Sequence, residues 1–157
     1  MNTEKFMLFS PAEDGRDFFI KDRWKRKFHF KIYSLPVPTG LATEAMEITK
    51  DGSQGYEFSI LSDFDTDVND AEKKLEKKVI DGINKRYLSK NGKYFKMGAK
   101  DMLRGRIGYN ENYYDSVHER MLVVDGKRVT IEQFAKLLEP YEGWQFEFKI
   151  IDKSDDF

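Results

Sequence analysis

MLVVDGKRVTIEQFAKLLEPYEGWQFEFKIID, residues 121–152, decides how the rest of this chain is read. Met121 to Val124 is an apolar run too short for a helix, and Asp125-Gly126 follows it. Asp-Gly between apolar segments signals a hairpin, because a type I′ turn needs positive φ at both central residues. Lys127 to Val129 then form the short return. Thr130 stands where an N-cap belongs, Gln133 completes a capping box, and Val129 and Phe134 occupy the two positions of a hydrophobic staple. Phe134, Leu137, Leu138 and Tyr141 share one helical face. Pro140 and Gly143 close that helix, since proline cannot continue the ladder and glycine accepts the left-handed stop. From Trp144 to Ile150 apolar and polar residues alternate. That period predicts an antiparallel strand with Trp144, Phe146, Phe148 and Ile150 turned inward. The whole stretch is expected to be a ββαβ core unit.

Upstream, Phe28, Phe30 and Ile32 alternate with Lys27, His29 and Lys31, which predicts a half-buried strand with a basic outer face, ended by Leu35-Pro-Val-Pro-Thr-Gly40. Met46 and Ile48 mark a second strand. Asp51-Gly52 to Gly55 is a turn, and Tyr56, Phe58 and Ile60 make the return. Ala71, Leu75, Val79, Ile83 and Tyr87 recur at four-residue steps, which predicts an amphipathic helix over 69–88 capped by Asn69 with Glu72. Gly82 inside it costs about 1 kcal/mol relative to alanine. Residues 1–20 and 92–117 carry no decisive pattern.

The expected fold is α+β: a largely antiparallel sheet of about five to seven strands with two helices on one face. A chain of 157 residues fits one domain spanning 1–157. Its 15% aromatic content opposes disorder. The absence of cysteine excludes disulfides, thiolate nucleophiles and cysteine-ligated metals. No apolar run matches a signal peptide or a membrane span, so the expected setting is cytoplasmic, with no membrane partner.

The blocks FHFKIYSLPVPTGLATEAMEI, GYEFSILSDFDTD, GRIGYN and the 121–152 stretch resemble a family of small uncharacterised bacterial proteins of Gram-positive type. The likeness covers most of residues 24–152 and is most specific in the last block. It implies a single cytoplasmic domain, and it carries over no activity and no catalytic residue.

Several constellations bear on chemistry. Asp63, Asp65 and Asp67 match the first three ligand positions of an EF-hand loop, but Val68 replaces the turn glycine and Lys74 the bidentate glutamate. The bland alternative is an acidic first turn favouring the helix dipole. His29 and His118 are the two histidines, without metal-ligand spacing. A hydrolase would need Asp63, Asp65, His118 and neighbouring carboxylates to converge. Gly105-Arg-Ile-Gly108 satisfies a bare G-x-x-G, yet its surroundings do not read as the two helices that such a nucleic-acid clamp joins. Neither phosphate-cradling glycine motifs nor a nucleophile elbow is present, so no cofactor and no catalytic residue are assigned.

Charge is segregated. Residues 41–72 hold nine acids and one lysine, whereas residues 73–106 hold twelve Lys and Arg against three acids. Interleaved with Trp24, Tyr87, Tyr94 and Phe95, the basic residues would track a phosphate backbone and stack bases. Arg23, Lys25, Arg26, Lys27, Arg104 and Arg106 are the candidates. The competing readings are a solvated helix face, or a protein partner or second copy that recognises the polarity. A non-enzymatic binding or interaction domain is expected first, a nucleic-acid-binding domain second, and a metal- or carboxylate-dependent hydrolase third.

Overall fold

The computed structural model describes residues 14–91, 94–115 and 117–156. Four strands form an antiparallel meander in sequence order: β1 (Arg16–Lys21), β2 (Lys27–Val37), β3 (Gly40–Glu47) and β4 (Glu57–Ser62). Phe18 opposes Phe30, Ile20 opposes Phe28 and Ala45 opposes Phe58, so the apolar halves of the alternating pattern share one face. Helix α1 (Val68–Ile83) covers it with Ala71, Leu75, Val79 and Ile83, all buried against Phe30, Ile32 and Ile60. Full burial of such side chains is worth about 1.5–3 kcal/mol each before chain entropy is counted.

The second half builds its own core. A hairpin pairs β5 (Leu88–Asn91) with β6 (Tyr94–Met97), and a three-stranded sheet is ordered β7 (Arg106–Tyr109), β8 (Arg120–Val124), β9 (Lys127–Thr130). Helix α2 (Ile131–Leu138) packs on β6, β8 and β9. Leu88, Val124, Val129 and Leu137 are buried there, with Phe134 against them.

The architecture is α+β and antiparallel throughout, as the pattern predicts. The described strands nevertheless fall into three sheets instead of one; α1 packs on the first sheet and α2 on the hairpin and the three-stranded sheet, so the two helices do not share a face. The hairpin turn has φ of 56° at Asp125 and 72° at Gly126. The capping box is complete: the Gln133 N–H donates to Thr130 Oγ1 at 3.1 Å, and the Thr130 N–H donates to Gln133 Oε1 at 2.9 Å.

Three local expectations change. Helix α1 starts one residue earlier than the spacing implied, because Asp67, not Asn69, is its cap. Its carboxylate accepts from Asn69 N–H at 2.8 Å and from Asp70 N–H at 3.2 Å. The helix stops at Ile83, where the Asn84 side chain donates to the Ile80 carbonyl at 2.8 Å. Strand β2 runs through Pro36 instead of stopping at Leu35; among the described residues β1 reaches only to Ile32, so β3 is the one strand paired with Pro36. A proline there breaks no ladder bond on the open side.

The largest correction is at the C-terminal end. Residues 144–150 form no strand, and Trp144, Phe146, Phe148 and Ile150 are 65, 91, 74 and 65% exposed. Period two fixes which side chains share a face. It does not place a free sheet edge within reach of that segment. Among the described residues, the segment is held at its ends. Trp144 meets the Tyr141 ring edge-on and donates its N–H to the Tyr141 carbonyl. Farther on, the Lys153 ammonium reaches Glu44 at 2.7 Å, and Lys78 donates to the carbonyls of Ser59 at 2.7 Å and Asp155 at 3.0 Å.

Candidate functional site: a basic cleft at the seam

The two cores meet where the β1–β2 loop, the end of α1 and the start of β5 come together. Asp22 organises this corner. Its side chain is inaccessible to solvent, and one carboxylate oxygen accepts from the N–H groups of Trp24 and Arg26 at 2.9 Å each. The other oxygen takes the Arg26 Nε at 2.8 Å, with Arg86 Nη2 at 3.9 Å. Lys25 turns the loop with φ of 65°, so Trp24 is thrust outward. Burial alone would push the Asp22 carboxyl up. The hydrogen bonds and charge from Arg26, with the Trp24 N–H, more than offset it and hold the group below its usual 3.8.

Further hydrogen bonds hold this corner together. The Arg23 N–H donates to Asn84 Oδ1 at 2.7 Å, which ties it to the end of α1. Asp125 in the hairpin turn accepts from the Tyr87 and Leu88 N–H groups at 3.0 and 2.9 Å. The chain after α1 is therefore pinned between both halves. Tyr87 consequently leaves the helical stripe that its spacing suggested.

The result is a half-open cleft of about 580 Å³ whose lining includes Arg23, Lys85, Arg86, Lys100 and Arg104. No carboxylate lines it. Trp24 and Tyr87 supply rings, and the Arg86 guanidinium lies 3.8 Å from the Trp24 centroid. Beside the cleft, Lys127 is lowered by burial and then by the positive charge of Arg26 and Arg86, with Asp125 working the other way.

Of the six basic residues singled out from sequence, Arg23 and Arg104 meet in this cleft. Lys25 and Lys27 are exposed on the adjoining turn and strand start. Arg26 faces inward to Asp22 and lies over the Phe28 ring, and its Nη2 is buried without a hydrogen-bond partner. Arg106 belongs elsewhere: its guanidinium donates to the Gly55 carbonyl at 2.7 Å and Gln54 Oε1 at 3.3 Å, joining β7 to the loop before β4. Lys85, Arg86 and Lys100 were missed as site residues. They lie within the basic 73–106 stretch; the turn after α1 brings in Lys85 and Arg86, and the Gly98 N–H on the Tyr87 carbonyl at 2.8 Å brings the Lys100 segment beside them.

Asp67 spends its carboxylate on capping α1, and among the described residues no group of three or more His, Asp or Glu side chains is placed to hold a metal ion. His118 pairs with Asp115 at 2.9 Å and approaches Glu132 at 3.5 Å; Asp63 and Asp65 are not among its partners. His29 contacts Asp17 at 2.6 Å across the β1–β2 pair, so a carboxylate, and not only its lysine neighbours, sets its surroundings. Gly105 to Gly108 straddle the start of β7, with Gly105 against the Val123 carbonyl, so this glycine pair is an edge strand and joins no helices. Among the described residues, no helix is long and apolar enough to cross a membrane.

Two family models match the chain, and they divide it where the two cores meet. Residues 13–84 match Domain of unknown function (DUF7686), and residues 86–155 match Domain of unknown function (DUF7713). No curated protein and no solved structure matches.

Proposed function

We propose that the protein is a non-enzymatic binding domain whose seam cleft takes the backbone of a single-stranded nucleic acid. One observation carries this reading: five cationic side chains and two aromatic rings converge on one cleft without a carboxylate in its lining. Phosphates meet Arg23, Lys85, Lys100 and Arg104, while a base stacks on the exposed ring of Trp24 or on Tyr87. Such stacking is tolerant of sequence because every base has a π-face. Arg86 serves both ends, resting on Trp24 while its charge faces the cleft. A site between two cores also suits a ligand that binds both halves. The same proposal takes residues 1–157 as one folding domain with two cores. Support comes from the bonds that cross the seam: Arg86 to Asp22, and Arg106 to Gly55. A cytoplasmic setting belongs with it, supported by the cysteine-free composition.

The test is titration with labelled single-stranded DNA and RNA at low and moderate salt. A Trp144→Phe background leaves Trp24 as the sole tryptophan reporter. Binding that quenches Trp24 and weakens with salt is expected. Salt-insensitive binding, or none, removes the proposal.

A further inference from the structure

We propose that residues 144–150 are a pairing strand for a second copy of this chain, joined antiparallel to its own counterpart about a two-fold axis at Phe148. Three features of the molecule lead there. The segment alternates apolar and polar residues, yet among the described residues the backbone of 145–151 makes no hydrogen bond. A strand whose edges have no partner among the described residues is a template for pairing with another chain. Both ends of the segment are nevertheless fixed, by Trp144 on Tyr141 and by Lys153 on Glu44, so it is presented without being free to fold back.

The four apolar side chains give the area. Side chains of this size bring about 150–250 Å² each, so at the observed exposures the four offer roughly 440–740 Å² per copy. A standard interface takes about 800 Å² per partner. Cross-strand pairing covers the flanks of these side chains, so the stripe supplies part of such a contact.

Charge selects the occupant and the register. With the axis at Phe148, Glu147 of one copy faces Lys149 of the other, twice. Phe146 faces Ile150, and the two Phe148 rings meet. Centring the axis at Glu147 instead sets two carboxylates against each other, and centring it at Phe146 leaves Glu147 opposite Gln145. An axis between residues puts polar side chains onto the apolar face. Opposite charges directly across a ladder stabilise the pair, and like charges oppose it. Glu147 and Lys149 thus complement each other across a two-fold axis, and a second copy of this chain supplies that complement.

The experiment measures mass by light scattering during gel filtration, across a concentration series, for the full chain. The unaltered protein is expected to show a concentration-dependent dimer. Glu147→Lys sets lysine against lysine twice and is expected to weaken the dimer on the order of tenfold or more. Adding Lys149→Glu to it restores the opposite pairing and the dimer. Because the chain has no cysteine, Phe148→Cys alone is expected to give a disulfide-linked dimer on oxidation. All these positions are exposed in the monomer, and circular dichroism confirms that each variant stays folded. A monomer at every concentration, a dimer indifferent to E147K, or failure of the double variant to restore it would each overturn the proposal. This outcome is independent of whether the seam cleft binds nucleic acid.

Discussion

Replacing Gly82 by alanine in α1 sets two effects of opposite sign against each other. Alanine is the better helix former by about 1 kcal/mol in an exposed helix interior. The added Cβ, however, would press on the Phe58 ring, touching Cε1 and standing 2.6 Å from Cζ. That ring has little room to yield. It stacks on Tyr56 at 5.5 Å between centroids and leans on Phe30 at 6.0 Å, and Phe30 is wholly buried. Forcing a methyl group into a packed site costs about 1–3 kcal/mol. The steric cost is the larger, and a net loss of up to about 2 kcal/mol is expected. Urea unfolding followed by far-UV circular dichroism reads it as a lower midpoint at unchanged slope. A Phe58→Leu background, which removes the obstructing ring, should shrink the cost of Gly82→Ala or reverse its sign. A stabilised Gly82→Ala protein would refute the close helix–sheet approach on which the first core rests.

Thr130→Ala removes one half of the capping box and should destabilise the protein by about 0.5–2 kcal/mol in the same assay. Thr130→Ser, which keeps the hydroxyl, should recover most of that. Asp22 gives a pH signature. Its folded pKa lies below 3.8, so its stabilising contribution is complete above that value and is lost as pH falls through the depressed folded value. Asp22→Asn should therefore lower the unfolding midpoint at neutral pH and flatten the loss of stability below pH 4. Equal acid sensitivity in the two proteins would mean that the carboxylate is not held as described.

Much of the fold was legible because local chemistry settles it. Asp125-Gly126 demands positive φ, Thr130 and Gln133 cap each other, and the Phe28–Ile32 and Tyr56–Ile60 alternations name their buried faces without outside help. What the sequence leaves open is pairing at a distance. Period two at Trp144–Ile150 looks identical whether the strand has a partner within the chain or outside it. Nothing in the Gly40–Asn84 spacing says that a second core begins at Leu88. Asp67 and Asn69 both suit a cap, and only the backbone shows which carboxylate or amide reaches the first N–H groups. The cleft was half visible. Arg23 and Arg104 stand out beside Trp24, but selecting Lys85 and Lys100 depends on Asp125 gripping the chain after α1, a contact across 38 residues, and on Gly98 bonding to the Tyr87 carbonyl.

The salt dependence of nucleic-acid affinity tests the central claim most directly. Single strands contribute a slope of about −0.7 per neutralised phosphate, so engagement of all five cleft cations gives about −3.5 in log K against log salt. Lys100→Ala, an exposed change on the cleft wall, should bring that slope to about −2.8 while leaving the unfolding midpoint in place. Such a paired shift is predicted. A slope near zero in the unaltered protein, or one that Lys100→Ala does not move, would contradict the assignment of this seam as the binding surface.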